Sequence, residues 1–117
     1  MAKDKMEKLE SKLRSKIENE KLRFVDNLLG DPDKNVRLMA ISVVSEYKMQ
    51  AYLTTFIEMV RNPGDKDLRV AAAKAVGTIG WEPSFSEMLQ MYEKEEDPDV
   101  KEAIRLTMRQ LHAKPVE

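Results

Sequence analysis

The sequence predicts an all-α solenoid of three stacked helical hairpins with one extra helix at its N-terminus. Three observations predict it. Asp33, Asp65 and Asp97 lie 32 residues apart, and their surroundings recur at the same interval: Val36, Leu68 and Val100; Arg37, Arg69 and Lys101; Val44, Val76 and Met108; upstream, Phe24, Phe56 and Met88. A fixed period of this size marks stacked repeats, because one hairpin cannot bury its apolar face alone. Within each copy the apolar residues fall at helical spacing rather than in strand alternation. Composition agrees, since Ala, Leu, Met, Lys and Glu dominate and the 42% apolar content is enough to form a core.

Taken in order, Met6, Leu9, Leu13 and Ile17 form one stripe at +3, +4 and +4 and predict a helix from residue 3. The repeat register stops short of it, because position 4, the counterpart of Val36, is Asp. Residues 1–19 are therefore an added helix, joined to the next through a kink near Asn19 or as one rod. The repeat domain is 20–113, with repeats 20–48, 51–80 and 84–113, and 114–117 is a frayed tail.

In repeat one, helix A near 20–29 ends at Gly30, where a left-handed cap is expected. Asp31-Pro32-Asp33 turns the chain, and Asp33 caps helix B over 34–47, with Val36, Met39, Ala40, Val43, Val44 and Tyr47 inward. In repeat two, helix A near 51–61 turns Phe56, Ile57 and Val60 inward and breaks at Asn62-Pro63-Gly64. Helix B over 66–79 buries Leu68, Ala71, Ala72, Ala75, Val76 and Ile79 and closes at Gly80. Its alanines let a neighbouring helix approach closely. Gly77 costs about 1 kcal/mol against Ala inside a helix, so close contact there is its expected reason. In repeat three, Ser84-Phe85-Ser86-Glu87 has capping-box spacing, and Leu89 matches Val25 and Ile57. Asp97 then caps a last helix that begins at Pro98, buries Val100, Ala103, Ile104, Met108 and Leu111, and ends near Ala113.

Leu68-Arg69-Val70-Ala71-Ala72-Ala73-Lys74-Ala75-Val76-Gly77-Thr78-Ile79-Gly80 resembles the second helix of a HEAT repeat, most closely the short alanine-rich variety named after phycobiliprotein lyase subunits. Asp33-Lys34-Asn35-Val36-Arg37 and Asp97-Pro98-Asp99-Val100-Lys101 resemble the same helix start. The first repeat departs from the pattern: Ser45 replaces the helix glycine, and Lys48 stands where a terminal glycine is usual. The resemblance implies a right-handed solenoid with A helices convex and B helices concave, used as a protein-interaction scaffold. It also implies that the Asp and Arg at each helix start link neighbouring repeats.

No residue pattern points to catalysis, a cofactor or a metal. His112 is the only histidine and sits at a helix end, where it complements the dipole. Glu93, Glu95, Glu96, Asp97 and Asp99 lack the glycine and terminal glutamate of a calcium loop. Cysteine is absent, which excludes disulfides. No apolar run could span a bilayer and no secretion signal is seen, so a cytoplasmic protein with no membrane partner is expected. The net charge of −1 gives no overall attraction for nucleic acid, although residues 1–23 carry +3 against −4 in the remainder.

The informative feature is the side of the B helices opposite the predicted core. It holds Leu38 and Ile41, then Val70 and Ala73 with Trp81 just beyond, and in repeat three Arg105 and Arg109. Exposed apolar patches mark contacts, so these seven residues are the candidate partner-binding set. Three arrangements would account for them: the N-terminal stripe folded over the patch, another protein's helix docked on it, or sharing in tight packing between repeats. The expected function is a non-enzymatic protein-interaction adaptor. Alternatives are an accessory subunit of a lyase-like or chromophore-handling enzyme complex, nucleic-acid binding through the basic N-terminal helix, and self-association through that helix.

Overall fold

The computed structural model describes residues 3–112. The expected tail at 114–117 and the expected helix end at Ala113 lie outside them. Among the described residues all regular structure is helical, as an all-α solenoid requires: α1 (Lys3–Glu18), α2 (Leu22–Leu29), α3 (Lys34–Glu46), a 3-10 turn at Gln50–Tyr52, α4 (Leu53–Arg61), α5 (Lys66–Ile79), α6 (Ser84–Lys94) and α7 (Pro98–His112). The chain divides into two compact units, Met1–Val44 and Ser45–Glu117.

In the first unit α1 packs on α2. Leu13 and Ile17 are buried, as are Val25 and Leu28, while Met6 and Leu9 at the outer end of the stripe are half-buried. The Lys12 and Lys16 ammonium groups lie over the Phe24 ring, 5.2 and 5.9 Å from its centre, close enough for cation–π attraction. α1 and α2 are separate helices. Lys21 N–H donates to Lys16 O (2.8 Å) and Glu20 N–H to Ile17 O (3.0 Å), with Glu20 at φ 58°. That is a Schellman ending with glutamate in the left-handed position usually held by glycine. Gly30 corrects the expectation in the other direction: its φ is −106°, and α2 ends without a left-handed residue. Asp33 Oδ1 accepts from Asn35 N–H at 2.8 Å, which starts α3, where Val36, Ala40, Ile41, Val43 and Val44 are buried.

In the second unit α4 packs on α5, α5 on α7 and α6 on α7. Phe56, Ile57 and Val60 face inward, as do Ala72, Ala75, Val76 and Ile79 of α5 and Val100, Ala103, Ile104 and Leu111 of α7. Leu68 is half-buried. Asp65 Oδ1 accepts from Asp67 and Leu68 N–H at 2.9 and 3.2 Å, and Asp97 Oδ1 from Asp99 and Val100 N–H at 2.9 and 3.1 Å. Such caps contribute about 1 kcal/mol each by satisfying amides that a helix start leaves free. Gly80 closes α5 at φ 74°. Lys48, 32 residues earlier, keeps the same left-handed turn at φ 51° without being glycine.

Two expectations fail in this unit. The capping box at Ser84 does not form: α6 has no side-chain cap, and the Ser84 hydroxyl is buried without a partner. The Ser84 amide, which the Glu87 carboxylate would have served, donates to Trp81 O instead, at 3.0 Å. Glu87 instead accepts from Arg61 at 3.2 Å. Leu89, at the register of buried Val25 and Ile57, is exposed.

Candidate interaction surface

The surface is held by the joints between consecutive hairpins of the second unit. Arg69, in the first turn of α5, is the main joint. Its Nε and Nη2 donate to Val60 O at 3.0 and 2.8 Å, which satisfies a carbonyl in the last turn of α4. Its Nη1 donates to Glu95 Oε2 at 3.2 Å, and its Nη2 donates to Glu95 Oε1. Glu95 Oε2 also accepts from Asp97 N–H at 3.1 Å, so the clamp reaches the turn that starts α7. Both side chains are mostly buried, at 15% and 12% exposure. A bidentate pair this dry fixes geometry as well as adding energy.

Lys66 Nζ donates to Asp99 Oδ2 at 2.8 Å on the surface, and that bond with the neighbouring carboxylate raises the Lys66 pKa. Deeper in, Thr107 Oγ1 donates to Ala73 O at 2.7 Å. A Cβ built on Gly77 would lie 2.5 Å from Gln110 Oε1 and 3.4 Å from Thr107 Cγ2. Ala73 and Gly77 therefore let α5 and α7 meet closely, as the small residues of α5 predicted.

The expected linkage does not repeat at every helix start. Arg37, at the register of Arg69, has a buried Nε with no hydrogen-bond partner. The chain carries Pro63 where the counterpart of Glu95 would stand. Lys101 turns back within its own hairpin, its ammonium 4.8 Å from the Tyr92 ring centre.

A family model of HEAT repeats matches residues 22–109, three quarters of the chain. The chain belongs to the HEAT-repeat family. No curated protein matches it, and no solved structure does.

The HEAT frame places the seven candidate residues unequally. Ile41 (1% exposed) and Ala73 are buried, which corrects the expectation that they lie open. Each stands about 140° around its helix from the inward residue Val36 or Leu68, on a flank rather than opposite the core. For Ala73 the occupant of that flank is α7. Leu38 and Val70 are half-buried. Trp81, in the turn after α5, is 43% exposed. Arg105 is half-buried and held by Glu102 through two bonds of 2.7 Å; these raise the Arg105 pKa and lower that of Glu102. Arg109 is exposed.

One residue escaped the sequence reading. Leu106 of α7 is the most exposed large apolar side chain among those described, at 46%. Its signal was available: it shares the register of Ser42 and Lys74, two polar positions, and no inward stripe includes it. Beside the Lys66–Asp99 bridge runs a shallow groove of about 370 Å³ along α5, lined by Lys66, Asp67, Val70, Ala71, Lys74 and Asp99. Among the described residues no group of three His, Cys, Asp or Glu could hold a metal ion, and no helix is long and apolar enough to cross a membrane.

Proposed function

We propose that this HEAT-repeat chain is a non-enzymatic adaptor that binds another protein through the outer side of the B helices of its second unit, α5 and α7. HEAT repeats generally mediate protein–protein interaction. The observation that carries the reading is Leu106, a large apolar side chain left 46% exposed on a helix whose other face is clamped to its neighbour. Val70 and exposed Trp81 support it, and Arg105 and Arg109 supply a polar margin. Ala73 serves the surface from beneath, by letting α7 stand close to α5. A rigid frame with a few apolar anchors and a polar rim is what a protein contact needs.

The alanine-rich α5 supports the short lyase-type variety, for which the partner would be a catalytic subunit. Affinity capture from the native cell, with mass spectrometry, tests the adaptor reading. The unaltered chain should retain a discrete protein that a Val70→Glu, Leu106→Glu variant with unchanged melting loses. Equal capture by both would overturn the reading, as would a captured nucleic acid with no protein.

A further inference from the structure

The second unit carries more than an unspecified apolar patch. α5 and α7 run parallel: Lys66 meets Asp99, Ala73 meets Thr107 and Gly77 lies against Gln110, so the register advances together along both helices. The seam between two parallel helices is a groove that accepts the ridge of a third helix. Val70 and Ala71 line it on α5; on α7 the exposed Leu106 directly precedes Thr107, which bonds Ala73 of α5.

The charges along this seam are not distributed evenly. At the N-terminal end Lys66 is paired with Asp99, and Arg105 with Glu102. Toward the C-terminal end Lys74 and Arg109 are exposed, and neither makes a salt bridge or side-chain hydrogen bond among the described residues. Leu106 shares the register of Lys74 and lies one turn before Arg109. An apolar anchor is thus accompanied by two cations without carboxylates.

Resting on the adaptor reading above, we propose that the α5–α7 seam docks an acidic amphipathic helix of the partner protein. Its apolar stripe covers Leu106 and Val70, and two of its carboxylates meet Lys74 and Arg109. Carboxylates favour the first turn of a helix. The docked helix therefore runs antiparallel to α5 and α7, with its acidic N-terminal turn over their C-terminal halves.

Fluorescence anisotropy with the full chain and two labelled synthetic helices tests this. Each helix has about five turns and a leucine stripe; one is flanked by glutamates, its twin by lysines. The acidic helix should bind about tenfold more tightly than the twin, and more weakly in salt. Lys74→Glu with Arg109→Glu should reverse that order. Leu106→Glu should abolish binding of both without moving the melting temperature, because the side chain is already half in water.

Equal binding of the twins would overturn the proposal. So would acidic-helix binding indifferent to the charge reversal, or tighter binding of duplex DNA that the same reversal removes. Should the native partner be lost with Val70→Glu and Leu106→Glu while the acidic helix never binds, the adaptor reading stands and this proposal alone falls.

Discussion

Removing Arg69 should destabilise the second unit more than any other surface-reaching substitution. Arg69→Met deletes two bonds to Val60 O and two to Glu95. It leaves a carboxylate at 12% exposure with no cation and a helix-end carbonyl with no donor. Breaking a fully buried pair costs about 3–5 kcal/mol. The residual water access here argues for the lower end, about 3 kcal/mol. Glu95→Gln should cost about 1–2 kcal/mol, since Arg69 keeps Val60 O and some solvent. Because the two side chains share bonds, the double variant should fall short of the sum by about 1–2 kcal/mol. Urea unfolding followed by far-ultraviolet circular dichroism and by the fluorescence of Trp81, the only tryptophan, measures all three. A loss below about 0.5 kcal/mol for Arg69→Met, a value ordinary for exposed pairs, would refute the clamp.

The left-handed turn at Lys48 predicts that Lys48→Gly stabilises by about 0.5–1 kcal/mol, and the reverse change Gly80→Lys destabilises by a similar amount; thermal melts decide. Gly77→Ala should be neutral or stabilising by about 0.5 kcal/mol, because only the end of the exposed Gln110 side chain stands in the way. Gly77→Leu should cost about 1–3 kcal/mol by forcing α5 from α7, as chemical denaturation would show. The backbone amide of Val100, then that of Asp99, holds the Asp97 carboxyl below the usual carboxylate range. Its folded pKa is therefore lower than its unfolded one. The stability it contributes is complete above the unfolded value and is lost as pH falls through the folded one. Asp97→Asn, which keeps a capping oxygen, should gain on the parent chain as pH falls below about 4; unfolding curves across that range measure the difference.

What could be read from the sequence was what depends on local backbone physics. The three Asp caps follow from a short acceptor at a fixed distance before an apolar stripe, and all three accept from amides at the start of their helices. The boundaries of α5 and the inward set of α4 follow from 3.6-residue periodicity in the same way, as do most of the inward residues of α5 and α7; Leu68, Ala71 and Met108 are half-buried instead. The misses share a different cause. A single helix wheel has one inside and one outside, whereas α5 also touches α7 on its flank, so Ala73 appeared exposed and is not; Ile41 is buried as well. Leu106 falls outside the outward set because the register that marks that side in repeat three selects Arg105 and Arg109. Glu20 and Lys48 adopt conformations that propensity assigns to glycine. In place of the Ser84 capping box, the Ser84 amide bonds Trp81 O in the preceding turn and Glu87 turns to Arg61. Pairing of Arg69 with Glu95, 26 residues away, belongs to tertiary geometry that no local spacing displays.

The central claim is that the outer side of the B helices, and not the A-helix side, meets the partner. Leu106 on α7 and Leu89 on α6 are both exposed leucines, 46% and 39% accessible, on helices of one hairpin. A photo-crosslinking amino acid placed at each position in the native cell compares the two sides directly. The account predicts a discrete protein adduct from position 106 and none from position 89; an adduct from 89 alone would contradict it.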